Sequence, residues 1–202
     1  MKRGKITKKV VLALVAMMAM SSLVGCSKSN GGASNGANQS QSQEINKNLS
    51  ESKLFKNLDT EDLDGNKIDK SIFAKNKLTM VNVWNTGCTP CVEEIPVLDK
   101  LNKEYRDKRV SIKGLLLESR VGLNEEERKT VNEILSKANA TYQQILTSQS
   151  MLDDDTLLLQ AFPTTFFVDK DGNIVDSIEG SNDYDGWKAK IEEVLKKVES
   201  ND

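Results

Sequence analysis

The run Leu78-Thr79-Met80-Val81-Asn82-Val83-Trp84 is followed after three residues by Cys88-Thr89-Pro90-Cys91, and then by a stretch of helical periodicity to about Tyr105. No other part of the chain constrains its folding as tightly. The run is short, apolar and β-rich, as expected of a strand buried within a sheet. Beyond the cysteines, Val97, Leu98, Leu101 and Tyr105 share one face of a helix, which Pro96 should bend. A strand that delivers Cys88 and Cys91 to the first turn of a helix puts both thiols on one side of that turn, within reach of a disulfide. Pro90 suits this turn, where its missing N–H costs nothing. The free N–H groups and positive end of the helix stabilise a thiolate, so Cys88 should have a lowered pKa and act as nucleophile. Cys91, deeper in the helix, is then the resolving thiol.

Two other uses of the pair compete with redox chemistry. A purely structural disulfide between such near neighbours closes a very small loop and stabilises little. Zinc needs two further Cys or His ligands, and the chain has no histidine and only one other cysteine, Cys26. Copper is harder to set aside, because two thiolates alone hold a soft ion. The absence of histidine also removes His general bases and Cys–His nucleophile pairs.

The first residues form an address rather than a fold. A basic start, Met1–Lys9, leads into an apolar run from Val10 to Met20 that is too short to span a bilayer comfortably. It ends in Leu23-Val24-Gly25-Cys26, which resembles the lipobox of bacterial lipoproteins. That resemblance implies removal of residues 1–25 as a signal peptide, acylation (palmitate) of Cys26, and a membrane-anchored protein facing the extracytoplasmic side. An ordinary signal peptide with an incidental cysteine is the alternative. Export would also place the chain where disulfides persist. Residues 26–52, rich in Ser, Asn, Gly and Gln, have too few apolar groups to offset their ordering entropy and read as a flexible linker. Loss of the five basic residues before Cys26 leaves 23 of the 28 basic residues against 30 acidic ones. That balance argues against nucleic acid as a partner.

Residues 53–202 read as the folded domain. Asp64-Gly65-Asn66 marks the turn of a small edge hairpin within 54–74, and Val110–Leu117 reads as a second strand. Asn124, with Glu127 three residues on, is a helix-capping signal, and the helix that follows places Val131, Ile134, Leu135 and Ala138 on one face. A strand is expected around Tyr142–Leu146 and a short helix near Ser150–Leu157. Phe166-Phe167-Val168 and Ile174-Val175 flank Asp171-Gly172-Asn173, a hairpin turn. A last helix carries Trp187, Ile191, Val194, Leu195 and Val198 at helical spacing. This order implies an α/β domain with a mixed sheet and helices on both faces.

Two segments resemble one family, the TlpA/ResA type of membrane-anchored thioredoxin-like disulfide reductases. They are Val81-Asn82-Val83-Trp84-Asn85-Thr86-Gly87-Cys88-Thr89-Pro90-Cys91, followed by Glu93-Glu94-Ile95-Pro96, and Phe162-Pro163-Thr164-Thr165-Phe166-Phe167-Val168-Asp169-Lys170-Asp171-Gly172. The resemblance covers roughly 54–198. It implies a thioredoxin-like α/β fold with an N-terminal hairpin extension and an inserted helix. It also implies a thiol-disulfide oxidoreductase that needs no small-molecule cofactor. Pro163 would be a cis-proline facing the cysteines, with the backbone at Phe162 and Pro163 gripping the substrate. Gly87 stands where this family commonly has Trp, which should change substrate contacts and the exposure of Cys88. Asn82 stands where thioredoxin itself has a buried Asp, so a proton acceptor for Cys91 must come from elsewhere. Glu118, at the end of the second strand, lines up with an active-site glutamate of the ResA-like branch, and is otherwise a solvated strand-end acid. Trp84 reads as core packing. Electrons would come from a membrane protein that relays cytoplasmic reducing power. The clients implied are exported proteins such as apocytochrome c or a methionine sulfoxide reductase. A peroxiredoxin-like peroxidase is the competing enzyme class, but no proline precedes Cys88 at the spacing that family wants, and Thr86 is only two residues ahead of it. A non-catalytic redox sensor or copper carrier is the third reading.

Overall fold

The computed structural model describes residue 49, residues 51–118 and residues 121–200. The leader, Cys26 and most of the linker read from the sequence lie outside the described residues. The elements run β1 (Asp59–Glu61), β2 (Lys67–Asp69), α1 (Ser71–Ala74), β3 (Leu78–Trp84), α2 (Thr89–Glu104), β4 (Val110–Leu116), α3 (Glu125–Lys137), β5 (Gln144–Leu146), α4 (Gln149–Leu152), β6 (Thr164–Asp169), β7 (Ile174–Glu179) and α5 (Tyr184–Glu199). Single 3₁₀ turns follow α2 and α4.

Five strands form one sheet in the order β5-β4-β3-β6-β7, with β1 and β2 pairing separately as an antiparallel hairpin. The sheet is mixed. β3, β4 and β5 are mutually parallel, whereas β6 is antiparallel to β3 and β7 to β6. β3 lies at the centre, and all seven of its residues are buried. Side chains alternate across a strand, so Met80 and Trp84 pack with α2, α3 and α5, while Val81 and Val83 pack on the opposite face. The connections β3-α2-β4 and β4-α3-β5 step the same way across the sheet, and right-handed crossovers of that kind put both helices on one face. The other face is covered by Leu54, Phe55 and Leu58, by Ile68 of the hairpin, by Phe73 of α1, and by Met151 and Leu157. Helices thus lie on both faces, long on one and short on the other.

Local signals explain the boundaries. α2 begins at the cysteine turn and continues through Pro96 to Glu104. α3 opens on a complete capping box, with Glu127 N–H donating to Asn124 Oδ1 and Asn124 N–H to Glu127 Oε2, each at 2.8 Å. The β6–β7 turn has Gly172 at φ 82°, where a Cβ would meet the Phe55 backbone at 3.2 Å. That glycine serves both the left-handed turn and the close approach of the N-terminal segment.

One boundary shifts from the sequence reading. Ser52, assigned there to the linker, is buried, and its hydroxyl accepts from Thr156 Oγ1 at 2.7 Å. The packed segment therefore starts before Lys53, because Leu54 and Phe55 can enter the core only if the chain just ahead of them is already laid on the sheet.

Candidate active site

β3 ends at Trp84, and the next four residues turn into α2. Three bonds set that turn. Cys88 N–H donates to Asn85 O at 3.2 Å, Gly87 N–H to Asn85 Oδ1 at 3.0 Å, and Thr86 N–H to Glu118 Oε1 at 2.9 Å. Cys88 is the N-cap residue of α2, with extended backbone, and its Sγ accepts from Cys91 N–H at 3.3 Å. Pro90 sits in the first turn, where no intrahelical donor is needed. The two cysteines are joined in a disulfide, with Cα atoms 5.3 Å apart. Cys88 is half-buried and Cys91 fully buried, packed among Ile95, Leu98 and the helix-side core. The pair therefore presents one sulfur outward and one inward.

Pro163 reaches this turn through sheet register. Val83 pairs with Thr164, which places Pro163 beside Trp84 at the same end of the adjacent strand. The Phe162–Pro163 peptide bond is cis, as the resemblance implied. Pro163 O accepts from Gly180 N–H at 2.7 Å, which ties the proline to the β7–α5 loop. Phe162 is half-buried and packs against both cores. Gly87 is exposed, and a Cβ there would meet only Asn85 Oδ1, at 3.5 Å, so the position has room for a side chain.

Glu118 is near the site. Its carboxylate holds the Thr86 N–H, so it fixes the turn that carries Cys88. The acid on the buried side is Glu94, which the sequence reading did not single out. Glu94 lies one helical turn beyond Cys91, a spacing that makes neighbours on one helix face, and it is only 4% exposed. Its Oε1 accepts from Asn82 Nδ2 at 2.7 Å, and its Oε2 accepts from Trp187 Nε1 at 3.1 Å and Asn182 N–H at 3.3 Å. Burial pushes the Glu94 carboxyl above its ordinary value, and these donors pull it back only in part. Asn82 donates also to Thr165 Oγ1 at 3.0 Å, two residues after the cis-proline. The signal for Glu94 was present in the spacing. Cys91, Glu94, Ile95 and Leu98 form an i, i+3, i+4, i+7 face, and an acid at such a position must be buried with donors or be functional. Among the described residues no group of three or more His, Cys, Asp or Glu is placed to hold a metal ion.

Residues 50–195 match the Redoxin family. The chain is 30% identical over 142 residues, 68% of this chain and 72% of the other, to the thiol-disulfide oxidoreductase ResA of Bacillus thuringiensis subsp. konkukian. The chain belongs to the ResA-type thiol-disulfide oxidoreductases of the Redoxin family. Solved structures agree on the fold of this ResA-type chain. A thiol:disulfide interchange protein of Chlorobium tepidum TLS superposes with a TM-score of 0.57 at 17% identity, covering 68% of this chain and 92% of that one. Another, from Bacteroides sp., gives a TM-score of 0.54 at 25% identity over 69% of this chain and 86% of that one. The ResA-type domain is thus thioredoxin-like, with Cys88 and Cys91 as its redox pair.

Proposed function

We propose that this ResA-type protein works outside the cytoplasm, tethered to the membrane through an acylated Cys26, and reduces disulfides in exported client proteins. The observation that carries the reading is the asymmetry of the pair. Cys88 is within reach of a partner at the N-terminus of a 16-residue helix, and Cys91 is sealed behind it. In the reduced protein the Cys91 N–H that meets Cys88 Sγ would favour the thiolate there. Cys88 thiolate attacks one sulfur of a client disulfide, forming a mixed disulfide and expelling the client's other sulfur as thiolate. Cys91 gives its proton to Glu94, attacks Cys88 Sγ and closes the Cys88–Cys91 bond, and the client's second sulfur leaves. A membrane thiol–disulfide donor then returns two electrons to the pair. The export-type leader and the lipobox-like Leu23-Val24-Gly25-Cys26 support the location. The clients fitting this scheme are exported thiol proteins such as apocytochrome c or methionine sulfoxide reductase.

Trapping tests the reading. Cys91→Ser should accumulate mixed disulfides with clients and donor in cells, identified by mass spectrometry after separation without reductant, and Cys88→Ser should capture little. Equal capture by both variants would overturn the roles, and a dedicated oxidase as the only donor would reverse the direction. Labelled fatty acid should tag the wild type but not Cys26→Ala; label retained by the variant would refute the anchor.

A further inference from the structure

The chain has two tryptophans, both fully buried, and their indole N–H groups meet different partners. Trp84 Nε1 donates to the neutral amide of Gln144 at 2.9 Å. Trp187 Nε1, from α5, donates to the Glu94 carboxylate at 3.1 Å. We infer that Trp187 is a positioning residue for the exchange reaction, holding Glu94 as the carboxylate that receives the Cys91 proton. This inference rests on the thiol-exchange scheme above and names the residue that tunes its buried base.

The groups around Glu94 leave few alternatives. From β3 comes Asn82, from β6 Thr165 behind it, from the β7–α5 loop the Asn182 N–H, and from α5 Trp187, all uncharged. The nearby titratable groups are Cys91 and Cys88 on the same helix and the buried Tyr142 hydroxyl, which is raised above its ordinary value first by burial and then by the Glu94 and Asp99 charges. Among the described residues no cation is among the influences on Glu94. Its charge is therefore supported by neutral N–H donors alone.

Those donors are not equivalent. Asn82 offers both an N–H and an oxygen, and its Oδ1 has no partner. If its amide turns over, Oδ1 accepts from a protonated Glu94, so Asn82 serves either state of the acid. The Asn182 donor is backbone, at 3.3 Å, and no side-chain substitution removes it cleanly. The indole N–H only donates, and its ring is locked in the helix-side core. It therefore favours the carboxylate alone. Without it the acid should hold its proton more tightly, and Cys91 should lose its acceptor over a wider range of pH.

Two measurements on the full chain test this. In oxidised protein with ¹⁵N-labelled tryptophan, the Trp187 indole signal should follow a one-proton titration and the Trp84 signal should stay flat, with Glu94→Gln abolishing the movement. In stopped flow, reduced protein mixed with Ellman's reagent should release thionitrobenzoate twice, the second release being the attack of Cys91 on the Cys88 mixed disulfide. Trp187→Phe, which keeps an apolar ring, should move the midpoint of that second step to higher pH and slow it about tenfold below the midpoint, the equivalent of one pKa unit. A Trp187 signal that is flat while the second release shows an ionisation would overturn the inference and leave the oxidoreductase reading intact. A Trp187→Phe profile superimposable on the wild type would do the same. Absence of any second release in the wild type would refute the exchange scheme, and the inference with it.

Discussion

Replacing Glu94 by Gln should change how stability depends on pH in a way fixed by the sign of one perturbation. The carboxyl is raised in the folded protein above its ordinary value of 4.5. Between that value and the folded one, the native state binds a proton that the unfolded chain has released. Stability therefore falls as pH rises through this window and levels off once Glu94 ionises in the fold. One proton bounds the slope at about 1.4 kcal/mol per pH unit. Gln fits the same space, with its oxygen accepting from Trp187, and its amide can donate to Asn82 Oδ1 once the Asn82 amide, which in the wild type points Nδ2 at the acid, has turned over. Asp62 and Asp99 have lowered carboxyls, whose stabilising contribution is lost on acidification, but they are common to both proteins and cancel in the difference. The assay is urea unfolding of the oxidised chain, followed by the fluorescence of its buried tryptophans, from pH 4 to 8.5. The stability of wild type minus variant should be constant below about pH 4.5 and then decline with a slope no steeper than this limit before reaching a plateau. A difference that is flat throughout, or that climbs with pH, would refute the argument from burial.

Gly114→Ala should destabilise by about 2–5 kcal/mol in the same unfolding assay, because its Cβ falls 1.9 Å from Gln144 Oε1 and must displace the acceptor of the Trp84 indole; a loss under about 0.5 kcal/mol would show that Gln144 relocates freely. Gly87→Trp should leave stability within about 0.5 kcal/mol, since the position is exposed and open, while altering the set of partners trapped by Cys91→Ser. Brief alkylation of the reduced protein, read by peptide mass spectrometry, should modify Cys88 well ahead of the fully buried Cys91, and equal labelling would contradict the observed burial.

The parts of the fold read correctly from sequence are those specified by neighbours in the chain. β3 is a continuous apolar run, the capping box of α3 needs only Asn124 and Glu127, and the β6–β7 turn needs only its Asp-Gly-Asn. Glu94 was missed because its environment is assembled from far away. In sequence it is the second of two adjacent acids between Cys91 and Pro96; the helix spacing it shares with Cys91, Ile95 and Leu98 turns it inward, but the donors that hold it there, Asn82, Asn182 and Trp187, lie on three other segments. Glu118 was open to two readings for the same reason. A strand-end acid beside a cysteine turn has two targets, and the bond to Thr86 N–H depends on the register that sets Trp84 opposite Leu116. Lys113 was likewise unremarkable in the second strand, yet it is buried, with its ammonium donating to Gln143 Oε1 at 2.8 Å. Burial of such a group is a property of the assembled sheet and leaves no periodic trace.

The central position of β3 has a consequence for synthesis. Its two neighbours are recruited from opposite ends of a long stretch of chain, with Val83 paired to Leu115 on one side and to Thr164 on the other. Closing the second pairing carries the entropy of a large loop, and nothing local offsets it beforehand. Several of the side chains that surround this dithiol, Glu118, Thr165 and Trp187 among them, are made after the cysteines. A nascent polypeptide that has emerged only as far as Tyr142 carries both thiols without the proline beside them or the buried network behind them. During that interval the turn that activates Cys88 is local and already encoded, but the Asn182 and Trp187 donors to Glu94 are not yet made, and the acid network behind Cys91 is complete only when the last helix closes over it.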